Sequence, residues 1–283
     1  MASHWQAVGN VEAAGLKHSR TQLHSAAQLV AAVGKALAHP EPDDSHTSLE
    51  WDSDRNAFVG VKVNQPPVQA RLEVSGLTVF VSAAQGEMKL QLHGHTLGSA
   101  FAWLRTALKE QGADMGRLDE IGDRSQLPDG VFGEVEKFDG GERVEFAEWA
   151  RHYGNADVLL QEVQKMRPGF SAIRVWPHHF DIASLCSLRQ EKTEQKTIGV
   201  GFSPGDASYS EAYWYVTPWP YPDAKLLAPL DVEGSWHTQG WVGAVLQTSR
   251  VVRNHGAEQE GQVRAFLQSA IRICEGVLLK NVA

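Results

Sequence analysis

Apolar and polar positions along the chain alternate with two different periods, and the switches between them mark the elements. From Ser19 to Leu37 the apolar residues Leu23, Ala27, Val30 and Leu37 fall near the spacing of one helix face, and Pro40 and Pro42 end the run. Short alternating runs follow at 48–51, 57–63, 68–74, 77–82 and 87–92, separated by turn residues, and predict an antiparallel meander. A helix over 97–111 closes this stretch. The same order then returns. An amphipathic helix is expected over 142–166, with Val144, Trp149, Leu159, Leu160 and Val163 facing a core, before Pro168 and Gly169 stop it. Strands are expected over 171–176, 179–188, 197–202, 212–216 and 241–246, and a last helix over 259–279.

This order predicts an α+β fold of two helix–antiparallel sheet–helix halves packed as one unit, with the outline of an internal duplication. The expected division is an N-terminal half over 1–111, an acidic glycine-rich connector over 112–141 and a C-terminal half over 142–283. Charge supports the connector, because the acids between Glu110 and Glu148 exceed the bases there by the whole net charge of −8. A basic stripe with interleaved aromatics is missing, so nucleic acid is set aside as a partner. The chain has no apolar run long enough for a spanning helix and no secretory start, so a cytoplasmic protein without membrane contact is expected. Cys186 and Cys274 read as buried reduced thiols.

Several strings resemble a bacterial family of uncharacterised proteins known only as a domain of unknown function. They are Thr21, Leu23, His24, Gln28, Gly34 and Lys35 in the first helix, 176–183 ending an aromatic strand in Phe180-Asp181, the turn 201–206, the Tyr- and Pro-rich 213–222, and Phe266 to Ser269. The resemblance spans nearly the whole chain and implies one α+β unit, with no activity attached. It departs at His178 and His179, where many members carry small residues.

Candidate chemistry gathers between Trp176 and Trp241, where most of the Trp and Tyr residues stand among acids and imidazoles. Buried ring N–H and O–H groups need partners, and a concave ligand site supplies that need. On a strand over 179–188, His179 and Asp181 share a face. Three arrangements fit them: a divalent metal centre completed by His237, an acid–base pair of His179 and Asp181, or an Asp181 that accepts hydrogen bonds and orders a corner. Arg250, downstream of His237, is similar in order to the cosubstrate-binding Arg of 2-oxoglutarate-dependent iron oxygenases, although the flanking helices do not suit a jelly roll.

The string Gly201-Phe202-Ser203-Pro204-Gly205 matches the letters of a nucleophile elbow, but Pro204 has no N–H to give an oxyanion hole, and a turn presenting Asp206 is expected instead. Alternation places Glu211, Tyr213, Tyr215 and Thr217 on one face, lining a pocket or facing solvent. Trp219 and Trp236 are expected to roof that pocket. His24 and Gln28 share a helix face and need buried partners, which the aromatic segment can supply. The functional expectation is a small-molecule enzyme with an aromatic His/Asp pocket. The alternatives are a non-catalytic small-molecule binding module, or an interaction subunit using exposed Trp and Tyr.

Overall fold

The computed structural model describes residues 5–114, 131–188 and 195–280. The fold is α+β, and every strand pairing is antiparallel. Its helices are α1 (Leu16–Leu37), α2 (Leu97–Glu110), α3 (Arg143–Met166), α4 (Thr248–Val251) and α5 (Ala257–Lys280). Its strands are β1 (Leu49–Asp52), β2 (Ala57–Gly60), β3 (Val63–Asn64), β4 (Pro67–Glu73), β5 (Thr78–Ala83), β6 (Gly86–Gln91), β7 (Arg174–Trp176), β8 (Asp181–Ser187), β9 (Thr197–Ser203), β10 (Tyr213–Trp219), β11 (Ser235–His237) and β12 (Gly243–Gln247). Two compact units form, and they interleave along the chain: one holds 15–150 with 174–180, the other 1–14, 151–173 and 181–283. Consecutive segments drawn from composition have no means of expressing that exchange.

In the unit built on 15–150 the strands run β7-β1-β2-β4-β5-β6, with β3 added to β4. Alternation sets the faces: Val68, Ala70 and Leu72 of β4 are buried while Gln69, Arg71 and Glu73 stay half-exposed. Helix α1 lies against β2, β4 and β5, burying Leu23, Ala27, Val30 and Leu37 as the spacing predicts. Thr96 caps α2 by accepting from the Ser99 N–H at 3.2 Å. The outer sheet face is polar. Arg71 lies 3.9 Å over the Phe80 ring and directs all five of its N–H groups to Glu73, Ser82 and Glu87. The Arg71 guanidinium, with Ser82, holds the Glu87 carboxyl at about 2. A depression of about 480 Å³ over this plate is lined by Asp52, Arg55, Gln69, Arg71, Ser82 and Glu87.

Part of the expected connector, 115–130, lies outside the described residues. The rest of it is built in rather than linking. Phe132 and Phe138 are buried with ring centroids 5.0 Å apart, the Phe132 N–H donates to Ser25 Oγ at 2.8 Å, and the Asp139 N–H donates to Gln22 Oε1. Two aromatic residues amid a run of acids outweigh the local charge, because each buries a large apolar ring.

In the other unit the order is β11-β12-β10-β9-β8, and α5 packs against β9, β10 and β12. Phe202 centres the core, edge-on to Trp214 at 5.4 Å and to Tyr153 at 6.0 Å. Gln259 of α5 ties the chain's start into this core. It accepts from Trp5 Nε1 and the Val8 N–H and donates to the Val8 carbonyl. Both cysteines are free and buried, and burial pushes the Cys274 thiol up to about 12. Among the described residues no helix is long and apolar enough to cross a membrane.

Val144 corrects the expected face of α3. It is 61% exposed, while Phe146, Trp149, Tyr153, Leu160 and Val163 form the buried stripe, because a helical step of about 100° carries Val144 off that side. Leu160→Ala therefore costs about 2–5 kcal/mol in urea unfolding, whereas Val144→Ala stays within about 0.5 kcal/mol of wild type. Equal losses at both positions would contradict the assigned face.

Candidate functional site

The registers of the β8–β12 sheet decide which of the singled-out residues meet. Tyr213 pairs with Ser203 and Gln247, Tyr215 with Gly201 and Val245, and Thr217 with Gly199. Gly201 pairs in turn with Ala183, and His237 with Gly243. Asp181, Gly199, Gly201, Ser203, Tyr213, Tyr215, Thr217, Trp219, Gly243 and His237 therefore point to one face. The opposite face, with Ile182, Phe202, Trp214 and Val216, is buried in the core.

Two glycines make room for rings on this face. A Cβ on Gly201 would meet Tyr215 Oη at 2.6 Å and the Ile182 carbonyl at 2.7 Å, so the Tyr215 ring lies across β9 and its hydroxyl donates to Asp181 Oδ2 on β8. A Cβ on Gly243 would meet the Trp241 ring at 2.6 Å. Trp241 stacks on His237, centroids 4.2 Å apart at 24°. An arc results: Trp241, His237, Tyr209 at 5.5 Å, Tyr213 at 4.9 Å from Tyr209, and Tyr215 at 6.1 Å from Tyr213.

The hydroxyls and the imidazole of the arc all point into hydrogen bonds. Tyr213 donates to Asp206 Oδ2 at 2.6 Å, while Asp206 Oδ1 accepts from the Ser208 and Tyr209 N–H groups. His237 Nε2 faces the Gln239 carbonyl at 2.7 Å, and Nδ1 lies 3.0 Å from the Tyr209 hydroxyl. A carbonyl only accepts, so in the neutral ring Nε2 carries the proton and Nδ1 accepts from Tyr209. Burial, then the Asp181 charge, raises the Tyr215 phenol well above its ordinary value. Burial and the hydrogen bond to Asp206 raise Tyr213, and burial with the Asp206 charge raises Tyr209. Tyr213 and Tyr215 are fixed as protonated donors to carboxylates, and Tyr209 as a protonated donor to His237.

Other expected residues stand elsewhere. Residues 177–180 form a turn closed by the Phe180 N–H on the Trp176 carbonyl, with Phe180 at φ +57°. Strand alternation therefore never reaches His179, which is exposed and lies beside His178. The shared strand face expected for His179 and Asp181 is thus corrected. Among the described residues no group of three or more His, Cys, Asp or Glu side chains is arranged to hold a metal ion. The His237 lone pair that a metal would need already accepts from Tyr209. Arg250 pairs with Glu233.

Trp236 pairs with Ala244 and so turns to the face opposite the tyrosines, its Nε1 donating to the Ala228 carbonyl. It does not roof them. Trp219 is on the tyrosine side but 54% exposed, edge-on to Tyr221. Glu211 braces α4: it accepts from the Ser249 N–H, Ser249 Oγ and Gln247. Ser203 accepts from the Gly205 N–H at 3.2 Å, and Gly205 at φ +105° permits the turn that presents Asp206.

In the other unit, His24 Nε2 and Gln28 Nε2 both reach the Pro177 carbonyl, at 2.8 and 2.7 Å. The aromatic segment thus supplies their partner through its backbone. The His24 ring stacks on Phe180 at 5.2 Å, and Phe180 packs on Phe58. Burial lowers His24 to about 4.

Sequence reasoning passed over Tyr209, Trp241, Gly201 and Gly243 as parts of a site. Glycines two apart on one strand, Gly199 and Gly201, were the available signal, since bare strand positions mark where something lies close. Comparison of the chain with family models, with curated proteins and with solved structures finds no match.

Gly201→Ala is expected to expel the Tyr215 ring and cost about 1–3 kcal/mol. In an ultraviolet tyrosine titration it gains a phenol near the ordinary value that Gly201→Ala/Tyr215→Phe lacks, and an unchanged titration would refute the crossing. His24 contributes a pH dependence to its own unit. Between its ordinary 6.5 and about 4 the unfolded chain binds a proton that the folded chain refuses, so stability rises with pH across that window. His24→Gln should flatten the slope of urea midpoint against pH there.

Proposed function

We propose that the ring arc of the β8–β12 sheet is a small-molecule binding face, and that the protein is a binding module rather than an enzyme. One observation carries the reading: each hydroxyl and ring nitrogen of Tyr209, Tyr213, Tyr215 and His237 is committed to a partner within the network. Acid–base catalysis needs a group that can take or give a proton in reach of substrate. Here the acids and phenols serve to hold rings in place, and Tyr209, Tyr215, His237 and Trp241 remain half-exposed to meet a ligand. Rings fixed in this way lose little conformational entropy on binding, which favours recognition by stacking. Membership of the bacterial family that the helix and strand strings resemble belongs to the same proposal.

An NMR screen of small polar molecules tests the reading. Ligands should broaden in the presence of the wild-type protein and not of Trp241→Ala, at matched thermal stability and without new resonances. Conversion of a bound compound to a product would replace binding by catalysis as the role of this face.

A further inference from the structure

We propose that the ligand of this face is an organic cation, an alkylated ammonium group seated on the ring arc. The inference rests on the reading of the face as a binding surface and adds the ligand's charge to it. Three features of the face carry it.

The first is what the rings turn outward. With the hydroxyls of Tyr209, Tyr213 and Tyr215 drawn into His237, Asp206 and Asp181, a ligand meets the half-exposed rings of Tyr209, Tyr215, His237 and Trp241 rather than phenol tips, Tyr213 itself being buried. Aromatic faces carry the negative lobe of the ring quadrupole and attract cations. The second is the charge behind those rings. Tyr213 and Tyr215 each donate to a carboxylate, and a phenol that donates to an anion carries a more electron-rich ring. Asp181 and Asp206 flank this part of the arc. The third is the absence of opposing charge. On β8 to β12, the described residues that the registers direct to this side include no Lys or Arg. An anionic ligand would meet two carboxylates and no cation, whereas an ammonium group loses part of its hydration and gains ring faces and a negative field.

Choline and 3,3-dimethylbutan-1-ol, which replaces the charged nitrogen by carbon, form the test pair. Each is titrated into the full chain while the ring resonances of Tyr213, Tyr215 and Trp241 are followed. Choline is expected to bind at least about tenfold more tightly than the neutral alcohol. Tyr215→Phe, which keeps the ring and removes the bond to Asp181, should weaken choline by about threefold to tenfold and leave the alcohol unchanged, with thermal unfolding confirming that the variant is folded. Equal affinity for both compounds would overturn the cation and leave the binding face standing. The same holds if neither moves the arc while an uncharged or anionic compound from the screen does. No compound of any charge at the arc would overturn both readings.

Discussion

The site depends on one crossing, in which the Tyr215 ring spans β9 above Gly201 and its hydroxyl reaches Asp181 on β8. Three strands must be in register for that bond to form: Tyr215 opposite Gly201, Gly201 opposite Ala183, and Asp181 at the start of β8. A one-residue slip would turn the ring into the core and bring Phe202 out. The crossing also explains the glycine, since its Cβ would strike the Ile182 carbonyl as well as the ring. Backbone cannot give way as a side chain does. Tyr213 then leans on a ring already fixed, and its bond to Asp206 fixes the turn that carries Tyr209 to His237.

The regular elements were legible in the sequence where periodicity was long or turns were sharply marked. Helices α1, α2, α3 and α5 and most strands fall within a few residues of their expected bounds, because amphipathic patterning reports burial directly. Three-residue β11 offers too few positions to show a period, and without it the face of Trp236 was unreadable. The error at His179 had another source. His179 to Leu188 reads as one alternating run, yet Phe180 takes a left-handed conformation that no propensity favours for a bulky residue. Its burial between His24 and Phe58 offsets the strain. That is tertiary information. The acids around Phe132 and Phe138 concealed those rings in the same manner, since net charge describes a segment and burial is decided residue by residue.

Both units settle polar groups by local closure. Arg71 spends all its donors on Glu73, Ser82 and Glu87, and His24 with Gln28 shares a single carbonyl. The results differ in what is left outside. Around Arg71 both signs of charge are paired on an open sheet face, while around the buried Tyr213, phenols donate to carboxylates and the rings of Tyr209, Tyr215, His237 and Trp241 stay half-exposed.

The hold of Gln259 on residues 5–8 has a consequence for how the chain is made. Trp5 and Val8 are synthesised 254 and 251 residues ahead of Gln259, on the helix that receives them. Residues 15–150 emerge soon after and need only 174–180 to complete their unit. Residues 5–8 must therefore wait for their partner until α5 has been made. Domains generally fold from the N-terminus during synthesis. Here the unit whose segments lie on both sides of 15–150 closes after it, so termination before α5 would leave residues 5–8 without the glutamine that holds them.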